Sequence, residues 1–239
     1  MIVIPSYNRP NMKTLKMLEK HHISKEQITI YVVKEEEEDY KKAYPDYTIV
    51  VGIKGIVPQR QFIMDSYPEG MNLVFMDDDI EEIDLSMTSL TLKEFIDYAF
   101  QQCNEYGAYL WGVYPVYNPY FRKNQKEMTT CLNFIVGCFY GIIVRHQDDL
   151  KIKNMIRGNK DDVENTLNHF IKDRVVLRFN KVAPKTKYFA KGGIGLLKDR
   201  MESIKEEVIA LQKAFPNYGR IKVRKNGVYE FVLKKITSK

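Results

Sequence analysis

The sequence predicts an α/β fold in which a mostly parallel sheet is covered by helices on both faces. Two observations lead to this prediction. Short apolar runs alternate with helical segments along the chain, which is the order of a doubly wound sheet. The runs are also continuously apolar, as expected for strands that are buried on both faces. With 239 residues, 44% of them hydrophobic, the chain is long enough to bury a large core.

The amino-terminal half contains four predicted strands, which cover residues 2–5, 28–33, 47–53 and 71–76. A helix follows the first strand and ends near His22. A second helix covers residues 57–67, with Pro58 near its first turn. Thr91 and Glu94 form a predicted capping box that begins a further helix, and Gly107 ends it.

The carboxyl-terminal half continues the alternation. The predicted elements are strands over 108–117 and 131–144, a helix over 160–172, a strand over 174–182, an amphipathic helix over 198–215 and a hairpin over 220–235. The hairpin turns at Asn226-Gly227, a favoured turn sequence. We predict a main domain over residues 1–197 and a basic appendage, the helix and hairpin, over residues 198–239.

Composition narrows the class of protein. No apolar run approaches the roughly 20 residues that span a bilayer, and the first ten residues lack the features of a signal peptide. The three cysteines are odd in number and lack Cys-x-x-Cys spacing, which argues against disulfides and structural zinc. We therefore predict a cytoplasmic protein that does not enter membranes.

Charge is unevenly distributed. Residues 181–239 hold 15 Lys and Arg against 5 Asp and Glu, whereas the preceding 180 residues hold 22 against 26. Such asymmetry indicates an acidic body with a basic end that meets a polyanion. A surface that only promotes solubility is the alternative.

The segment FMDDDIEEI, residues 75–83, places three acids behind a buried strand. Ligands of open α/β sheets bind beyond the carboxyl ends of the strands. Asp77 and Asp79 have alternate-residue spacing, so their side chains point the same way on an extended segment. Mn²⁺ or Mg²⁺ can be bound by one or two carboxylates together with substrate phosphates. An ordinary acidic surface turn is the alternative.

The order of four segments resembles the GT-A class of nucleotide-sugar glycosyltransferases. These are IPSYNRP after the first strand, an acidic stretch after the second, GIVPQRQF, and the Asp-x-Asp segment. The resemblance implies a GT-A (Rossmann-like) fold and a nucleotide-sugar donor. It also implies a set of donor-binding residues: Pro5, Ser6, Tyr7, Arg9, Glu35, Arg60, Asp77 and Asp78.

Inverting members of this class use a carboxylate as general base, often in a Glu-Asp pair that opens a helix. Here GNKDDVENTL offers Asp161 and Asp162, so Asp replaces the Glu. We assign the base to Asp162 and name Asp161 as the next candidate. Acids also suit the first turn of any helix electrostatically, and that is the structural alternative.

Three segments resemble a narrower family, the glycosyltransferases associated with TET/JBP-type DNA base hydroxylases, many of them carried by phages. They are GIVPQRQFIMD, DDVENTLNHFIKDRVVLRFNKV and KTKYFAKGGIG, and the resemblance covers roughly residues 1–195. It implies transfer of a sugar to the hydroxymethyl group of a modified pyrimidine such as 5-hydroxymethylcytosine in DNA, within the host cytoplasm if a phage encodes the protein. Lys187, Gly192 and Gly193 become candidate donor-loop residues.

Candidate DNA contacts lie in two segments. Arg220, Lys222 and Arg224 alternate with apolar residues, so the cations share one face of a strand. Arg122 and Lys123 stand beside aromatic residues that could stack on an exposed base. A charged edge strand that prevents aggregation is the alternative for the first segment, and a sugar-binding platform is one for the second.

The sequence thus predicts a metal-dependent, inverting glycosyltransferase that uses a nucleotide sugar, UDP-linked by preference, and modifies DNA. Three rivals remain: a GT-A enzyme acting on a glycan or protein, a non-catalytic DNA-binding module, and a nucleotidyltransferase.

Overall fold

A computed structural model of the chain describes residues 1–186 and 196–237. The strands are, in chain order, β1 (Ile2–Pro5), β2 (Ile28–Val32), β3 (Thr48–Val51), β4 (Asn72–Met76), β5 (Glu82–Asp84), β6 (Leu110–Val113), β7 (Met128–Thr129), β8 (Phe139–Ile143), β9 (Leu177–Phe179), β10 (Ala183–Lys185), β11 (Gly219–Val223) and β12 (Tyr229–Leu233). The α-helices are α1 (Lys13–Lys20), α2 (Glu37–Ala43), α3 (Ile56–Asp65), α4 (Leu92–Tyr106), α5 (Asp161–Asp173) and α6 (Met201–Ala214).

Eight of these strands form one sheet in the order β3-β2-β1-β4-β8-β6-β9-β7. The pairs β3–β2, β2–β1, β1–β4 and β6–β9 are parallel. Strands β8 and β7 run against their neighbours. The sheet is therefore mostly parallel, as predicted, and its crossovers carry helices.

Two hydrophobic clusters cover the two faces of this sheet. Successive residues of one strand contribute to opposite clusters: Val74 belongs to the first and Phe75 to the second. Helices α1, α2 and α4 pack in the first cluster, and α3, α5 and α6 pack in the second. Burial on both faces is the reason why these strands are continuously apolar in sequence.

The predicted helix caps are confirmed at α4. Thr91 and Glu94 form a complete capping box, and Gly107 ends the helix in the left-handed region with φ of +65°. Residues without a side chain adopt this conformation at little cost. The carboxyl-terminal hairpin also forms as predicted, with Gly227 at φ of +80° in its turn.

The predicted strand over 131–144 is wrong in its first half, because regular pairing is confined to β8, residues 139–143. Residues 131–138 are apolar for another reason: Leu132, Ile135 and Val136 have no regular secondary structure but are buried in the two hydrophobic clusters. Strands β5 and β10 form a small separate antiparallel pair that the polar sequence of β5 did not indicate.

Helix α6 and the hairpin share the second cluster with the sheet. Val208, Leu211 and Phe231 are buried in it together with Val3 and Phe75. The predicted division at residues 197 and 198 therefore separates segments that share one core. Within the described ranges, no helix combines the length and the apolar composition needed to traverse a bilayer.

Candidate active site

A cleft of about 1170 Å³ opens at the carboxyl ends of β1, β2 and β4. Pro5, Val33 and Asp77, at or just beyond the ends of these strands, line one part of it. Gly158 and Val228 line another part, and they come from the loop before α5 and from the hairpin. Ends of parallel strands meet at one edge of a sheet, which is why segments distant in sequence converge here.

The first loop, residues 6–10, is tied to the acidic triplet. The Ser6 hydroxyl donates to Asp78 Oδ2 at 2.6 Å. Arg9 Nη1 donates to Asp78 Oδ1 and to Asp79 Oδ2, both at 2.7 Å. The Asp78 side chain is only 6% exposed. A buried carboxylate needs such partners, so Asp78 acts by ordering the loop, and an arginine offsets part of the repulsion in the triplet.

The other two acids of the triplet face the cleft to different degrees. Asp79 is engaged by Arg9 and also accepts a hydrogen bond from the Thr186 hydroxyl at 2.7 Å. Asp77 has a side chain that is 37% exposed, with Arg60 Nη2 at 3.2 Å from its Oδ1. Desolvation raises the pKa of Asp77 to about 7, Arg60 opposes the rise, and Asp79 adds to it. Asp77 therefore has the carboxylate most available to a ligand.

The chemistry of these acids fits a hard divalent cation. Among the described residues, no three acidic, histidine or cysteine side chains converge to form a metal site by themselves. Two carboxylates of alternate residues, together with phosphate oxygens, nevertheless form the donor set that Mg²⁺ or Mn²⁺ accepts. Lowering the pKa of Asp77 is the electrostatic effect that a cation at this position would have.

Arg60 lies between the acidic triplet and the start of α5. Its guanidinium forms an ion pair with Asp161, contacts Asp77 and donates to the carbonyl of Gly137 at 2.7 Å. The ring of Tyr140 lies 5.7 Å from the guanidinium. The planar fork of an arginine can hold several acceptors in fixed geometry. Arg60 is thus the residue that joins the two predicted acidic groups.

Asp161 and Asp162 differ in environment although they are adjacent. Asp161 is 7% exposed and its carboxylate is paired with Arg60. Asp162 forms no ion pair with any described residue; its Oδ1 accepts from the Val163 amide at 2.9 Å, and its Oδ2 from the Gly137 amide at 3.4 Å. Desolvation and the neighbouring Asp161 raise the pKa of Asp162 to about 6. A carboxylate without a bound guanidinium is the better proton acceptor, so the geometry favours Asp162.

Three predicted donor residues lie outside the described ranges: Lys187, Gly192 and Gly193. The donor contact of Glu35 stays a prediction. Glu35 is exposed and is absent from the described lining of the cleft. Its neighbour Glu36 accepts the Asn8 amide at 3.0 and 3.1 Å, because the short turn at residues 34–36 directs Glu36 toward the first loop. By contrast, Tyr7 lines the cleft, and Lys54 Nζ lies 5.4 Å from the centre of its ring.

The prediction that Arg122 contacts DNA is wrong. Its side chain is 0% exposed and forms an ion pair with Asp84. It also donates to the carbonyls of Lys181 at 2.6 Å and Tyr117 at 2.9 Å. A guanidinium that is removed from water requires several acceptors, and here they fix the loop above β5. Lys123, Arg220, Lys222 and Arg224 are exposed, as a polyanion contact requires.

The sequence reading missed several residues on the far wall of the cleft. Arg157, Asn159, Lys160 and Arg200 line it. Glu207, 0% exposed, accepts hydrogen bonds from the amides of Arg157 and Asn159 in this wall. One signal was available: Glu207 lies three positions after Ile204 and four before Leu211, on the apolar stripe of α6, where a charged residue needs a buried partner.

The fold and the site together define an α/β enzyme with a ligand cleft at the sheet edge, arranged around two acidic groups. Residues 1–94 match the family described as TET-Associated Glycosyltransferase. The match confirms the predicted resemblance over this part, which is shorter than the expected 1–195, and confirms the glycosyltransferase class. No curated protein matches the chain.

Solved structures with a distant likeness include two enzymes. One is 4-diphosphocytidyl-2C-methyl-D-erythritol synthase from Anaerococcus prevotii, with 10% identity, coverage of 89% of this chain and 94% of that chain, and a TM-score of 0.45. The other is a putative nucleotide-diphospho-sugar transferase from Desulfovibrio desulfuricans, with 12% identity, coverage of 86% and 96%, and a TM-score of 0.45. The fold assignment depends on the strand order described above.

Proposed function

We propose that the protein is a metal-dependent, inverting glycosyltransferase. It moves a sugar from a nucleotide-diphosphate donor, a UDP-sugar by preference, to the hydroxymethyl group of a modified pyrimidine in DNA, 5-hydroxymethylcytosine being the expected acceptor. The observation that carries this proposal is the position of Arg60, which contacts Asp77 on one side and Asp161 on the other. Arg60 thus joins Asp77, which is suited to binding the donor, to the Asp161-Asp162 pair, which is suited to act as the general base, within one cleft.

The donor half of the cleft suits a nucleoside diphosphate. The first loop is ordered by Ser6, Arg9 and Asp78, and Asp77 remains accessible beside it. Mn²⁺ or Mg²⁺ bound by Asp77 and Asp79 would supply Lewis-acid stabilisation of the leaving diphosphate. The half-buried Tyr7 and the exposed Lys54 also line the cleft and can flank the nucleotide.

The chemical step requires one base. The acceptor hydroxyl oxygen forms a bond to the anomeric carbon of the sugar, and the bond from that carbon to the diphosphate oxygen breaks. The hydroxyl proton goes to Asp162, and the nucleoside diphosphate leaves with the bonding electrons. Attack opposite to the leaving group inverts the anomeric centre. Asp162 suits this role because its pKa of about 6 leaves it ionised at neutral pH yet basic enough to accept a proton.

The surface beside the cleft supports a nucleic-acid acceptor. Arg220, Lys222 and Lys225 are exposed on the hairpin, and Arg224, with a side chain 58% exposed, also lines the cleft. Tyr120 is 69% and Phe121 52% exposed, in a loop that follows the cleft residues Pro115 and Val116. Cations that meet phosphates and aromatic rings that stack on bases are the groups that bind DNA.

The proposal is tested by incubating the protein and Mn²⁺ with DNA that contains 5-hydroxymethylcytosine and a panel of nucleotide sugars. The nucleosides are then weighed by mass spectrometry. We expect the modified nucleoside to gain the mass of one sugar, with release of a nucleoside diphosphate. DNA with unmodified cytosine and the variant Asp162→Asn serve as controls. Transfer to a free glycan or a protein instead, with the modified DNA unchanged, would refute the DNA acceptor.

A further inference from the structure

Glu207 of α6 binds the backbone of the loop formed by residues 156–159, hereafter the 156–159 loop. Its Oε1 accepts hydrogen bonds from the amides of Ile156 at 3.0 Å, Arg157 at 2.6 Å and Gly158 at 3.1 Å. Its Oε2 accepts from the amide of Asn159 at 2.8 Å. Successive amides thus point at one carboxylate that is fully buried.

Glu207 places a charged side chain on the buried, otherwise apolar face of α6. Glu207 shares its helix face with Ile204, Val208 and Leu211, all buried in the second cluster. Burying a carboxylate is costly unless several donors satisfy it, and hydrogen bonds to a charged acceptor are stronger than neutral ones. The carboxylate therefore holds the 156–159 loop in one conformation rather than merely filling space.

The opposite side of the 156–159 loop rests on the start of α3. Gly158 has φ of +75°, and a Cβ atom at this position would lie 2.3 Å from Cγ2 of Ile56. A side chain here would push the loop away from α3, which is the helix that carries Arg60. Asn159 adds contacts to α6, since its side-chain amide donates to the Ser203 hydroxyl at 3.0 Å and its Oδ1 accepts from Arg200 Nε at 2.6 Å.

The 156–159 loop leads directly into the catalytic acids. Lys160 is the cap residue of α5, and its carbonyl accepts from the amides of Val163 and Glu164, both at 3.1 Å. Asp161 and Asp162 lie between Lys160 and Val163 in the sequence. A displacement of residues 156–159 would be transmitted to both acids, because Lys160 is the single residue between the loop and Asp161.

We propose that Glu207 is a positioning residue of the active site: by gathering the amides of the 156–159 loop, it fixes Asp162 relative to the donor half of the cleft. Helix α6 then belongs to the transferase machinery rather than to a separable DNA-binding appendage. The inference rests on the proposed function for the identity of the reaction, while the positioning itself follows from the contacts.

Amide hydrogen exchange of Glu207→Gln tests the positioning without an assay of activity. The glutamine has the size of glutamate, but it lacks the charge and turns an NH₂ group toward one of the amides. We expect faster exchange at residues 156–159 and also at residues 163 and 164, with unchanged exchange in β1 and β4. Acceleration confined to residues 156–159 would overturn the proposal, because the disturbance would then stop before the acids.

Kinetics of the same variant separate positioning from a loss of fold. We expect kcat for sugar transfer to fall about 10- to 100-fold while the donor KM stays within about twofold, since a small misplacement of a reacting group is costly. Glu207→Asp keeps the charge and should recover part of the rate. An unchanged kcat in Glu207→Gln would overturn the proposal.

Glu164 supplies a matched control. It is also buried, at 1% exposure, and its carboxylate accepts the amides of Lys153 at 2.9 Å and Asn154 at 3.0 Å. Those two residues are absent from the described lining of the cleft. Glu164→Gln should lower thermal stability as much as Glu207→Gln but reduce kcat less. Equal losses of kcat in the two variants would mean that any broken buried network lowers the rate, which refutes a specific role.

If the wild-type protein modifies no DNA, the proposed function fails, and hydrogen exchange still decides the positioning.

Discussion

Arg60 and Asp161 form an ion pair that joins α3 to the first residue of α5, across 101 positions of sequence. The same guanidinium contacts Asp77 at the end of β4. The guanidinium of Arg60 therefore lies between Asp77, for which we propose a role in donor binding, and Asp161, the neighbour of the proposed base. This arrangement explains why acidic groups that would repel each other can face one cleft, and it determines how the site should respond to substitution.

Arg60→Lys should reduce the rate of sugar transfer by about 100-fold. A lysine keeps the positive charge, but a single ammonium cannot hold Asp77, Asp161 and the Gly137 carbonyl in the geometry of a guanidinium. The measurement is kcat at saturating donor and acceptor. Arg145→Lys is the matched control, because Arg145 makes a two-bond pair with Asp173 at 2.8 and 2.6 Å. It should cost stability and leave kcat near wild type; full activity of Arg60→Lys would contradict the prediction.

Asp77→Asn and Asp79→Asn should each weaken Mn²⁺-dependent nucleotide binding by at least about tenfold, since losing even an indirect partner of a metal has that effect. Calorimetry with uridine diphosphate, with and without Mn²⁺, measures it. Chelation of the cation should abolish transfer, and added Mn²⁺ should restore it. Asp46→Asn, a change in an acid whose side chain is 70% exposed, should have no effect. Equal nucleotide affinity with and without Mn²⁺ would argue against the cation.

The rate of transfer should depend on pH through Asp162. Its pKa is raised to about 6 by desolvation and by Asp161, with Lys160, Arg60 and the Gly137 amide opposing the rise. A base must be ionised, so kcat/KM should increase about tenfold per pH unit below that value and level off above it. A pH–rate profile checks this. An acid limb that persists unchanged in the residual activity of Asp162→Asn would assign the titration to another group.

The same raised pKa predicts that the contribution of Asp162 to stability falls as the pH rises, whereas the rate of transfer increases. Asp162 ionises more easily in the unfolded chain, where its pKa is near the ordinary 3.8. Its contribution to stability is therefore full below about pH 4 and is lost as the pH rises through about 6. Asp162→Asn should raise Tm at pH 8 by roughly 2–4 °C, the shift that about 1 kcal/mol produces in a chain of this size. Asp161→Asn should lower Tm, because it leaves Arg60 without its nearest partner. Thermal unfolding at pH 5 and pH 8 tests both signs.

Arg122→Ala should destabilise the protein by about 3–5 kcal/mol, since it leaves the carboxylate of Asp84 buried and unpaired. Lys123→Ala removes a neighbouring charge that is exposed, so it should change the free energy of unfolding by less than about 0.5 kcal/mol. Urea denaturation of the two variants makes the comparison. Similar effects in both would mean that Arg122 is not the structural residue described above.

Replacing Arg220 and Lys222 together with alanine should weaken DNA binding and lower its salt dependence. Each phosphate contact that is lost reduces the slope of log K against log salt concentration by about 1. Fluorescence anisotropy at several salt concentrations gives the slope. Lys16→Ala is the control, because Lys16 is exposed on α1, on the other face of the sheet from α6. An unchanged slope in the double variant would exclude the hairpin as the DNA contact.

Much of the fold could be predicted because local patterns and burial agree. The strands β1 to β4 are largely apolar, and each of them contributes residues to both hydrophobic clusters. The capping box of α4 and the turn at Asn226-Gly227 depend only on neighbouring residues. The start of the strand predicted over 131–144 was wrong because apolar residues mark burial and do not distinguish a strand from a buried loop.

The sequence by itself determined the positions of the chemical groups along the chain: an acidic segment that follows β4, a pair of acids that opens α5, and a basic carboxyl-terminal end. Only the tertiary structure decided which of these groups meet. It directed Arg122 into the core, placed Arg60 between Asp77 and Asp161, and brought Glu207 under the 156–159 loop. The physical reason is that periodicity reports which face of an element is buried, whereas the partner of a buried charge is set by contacts between elements far apart in sequence.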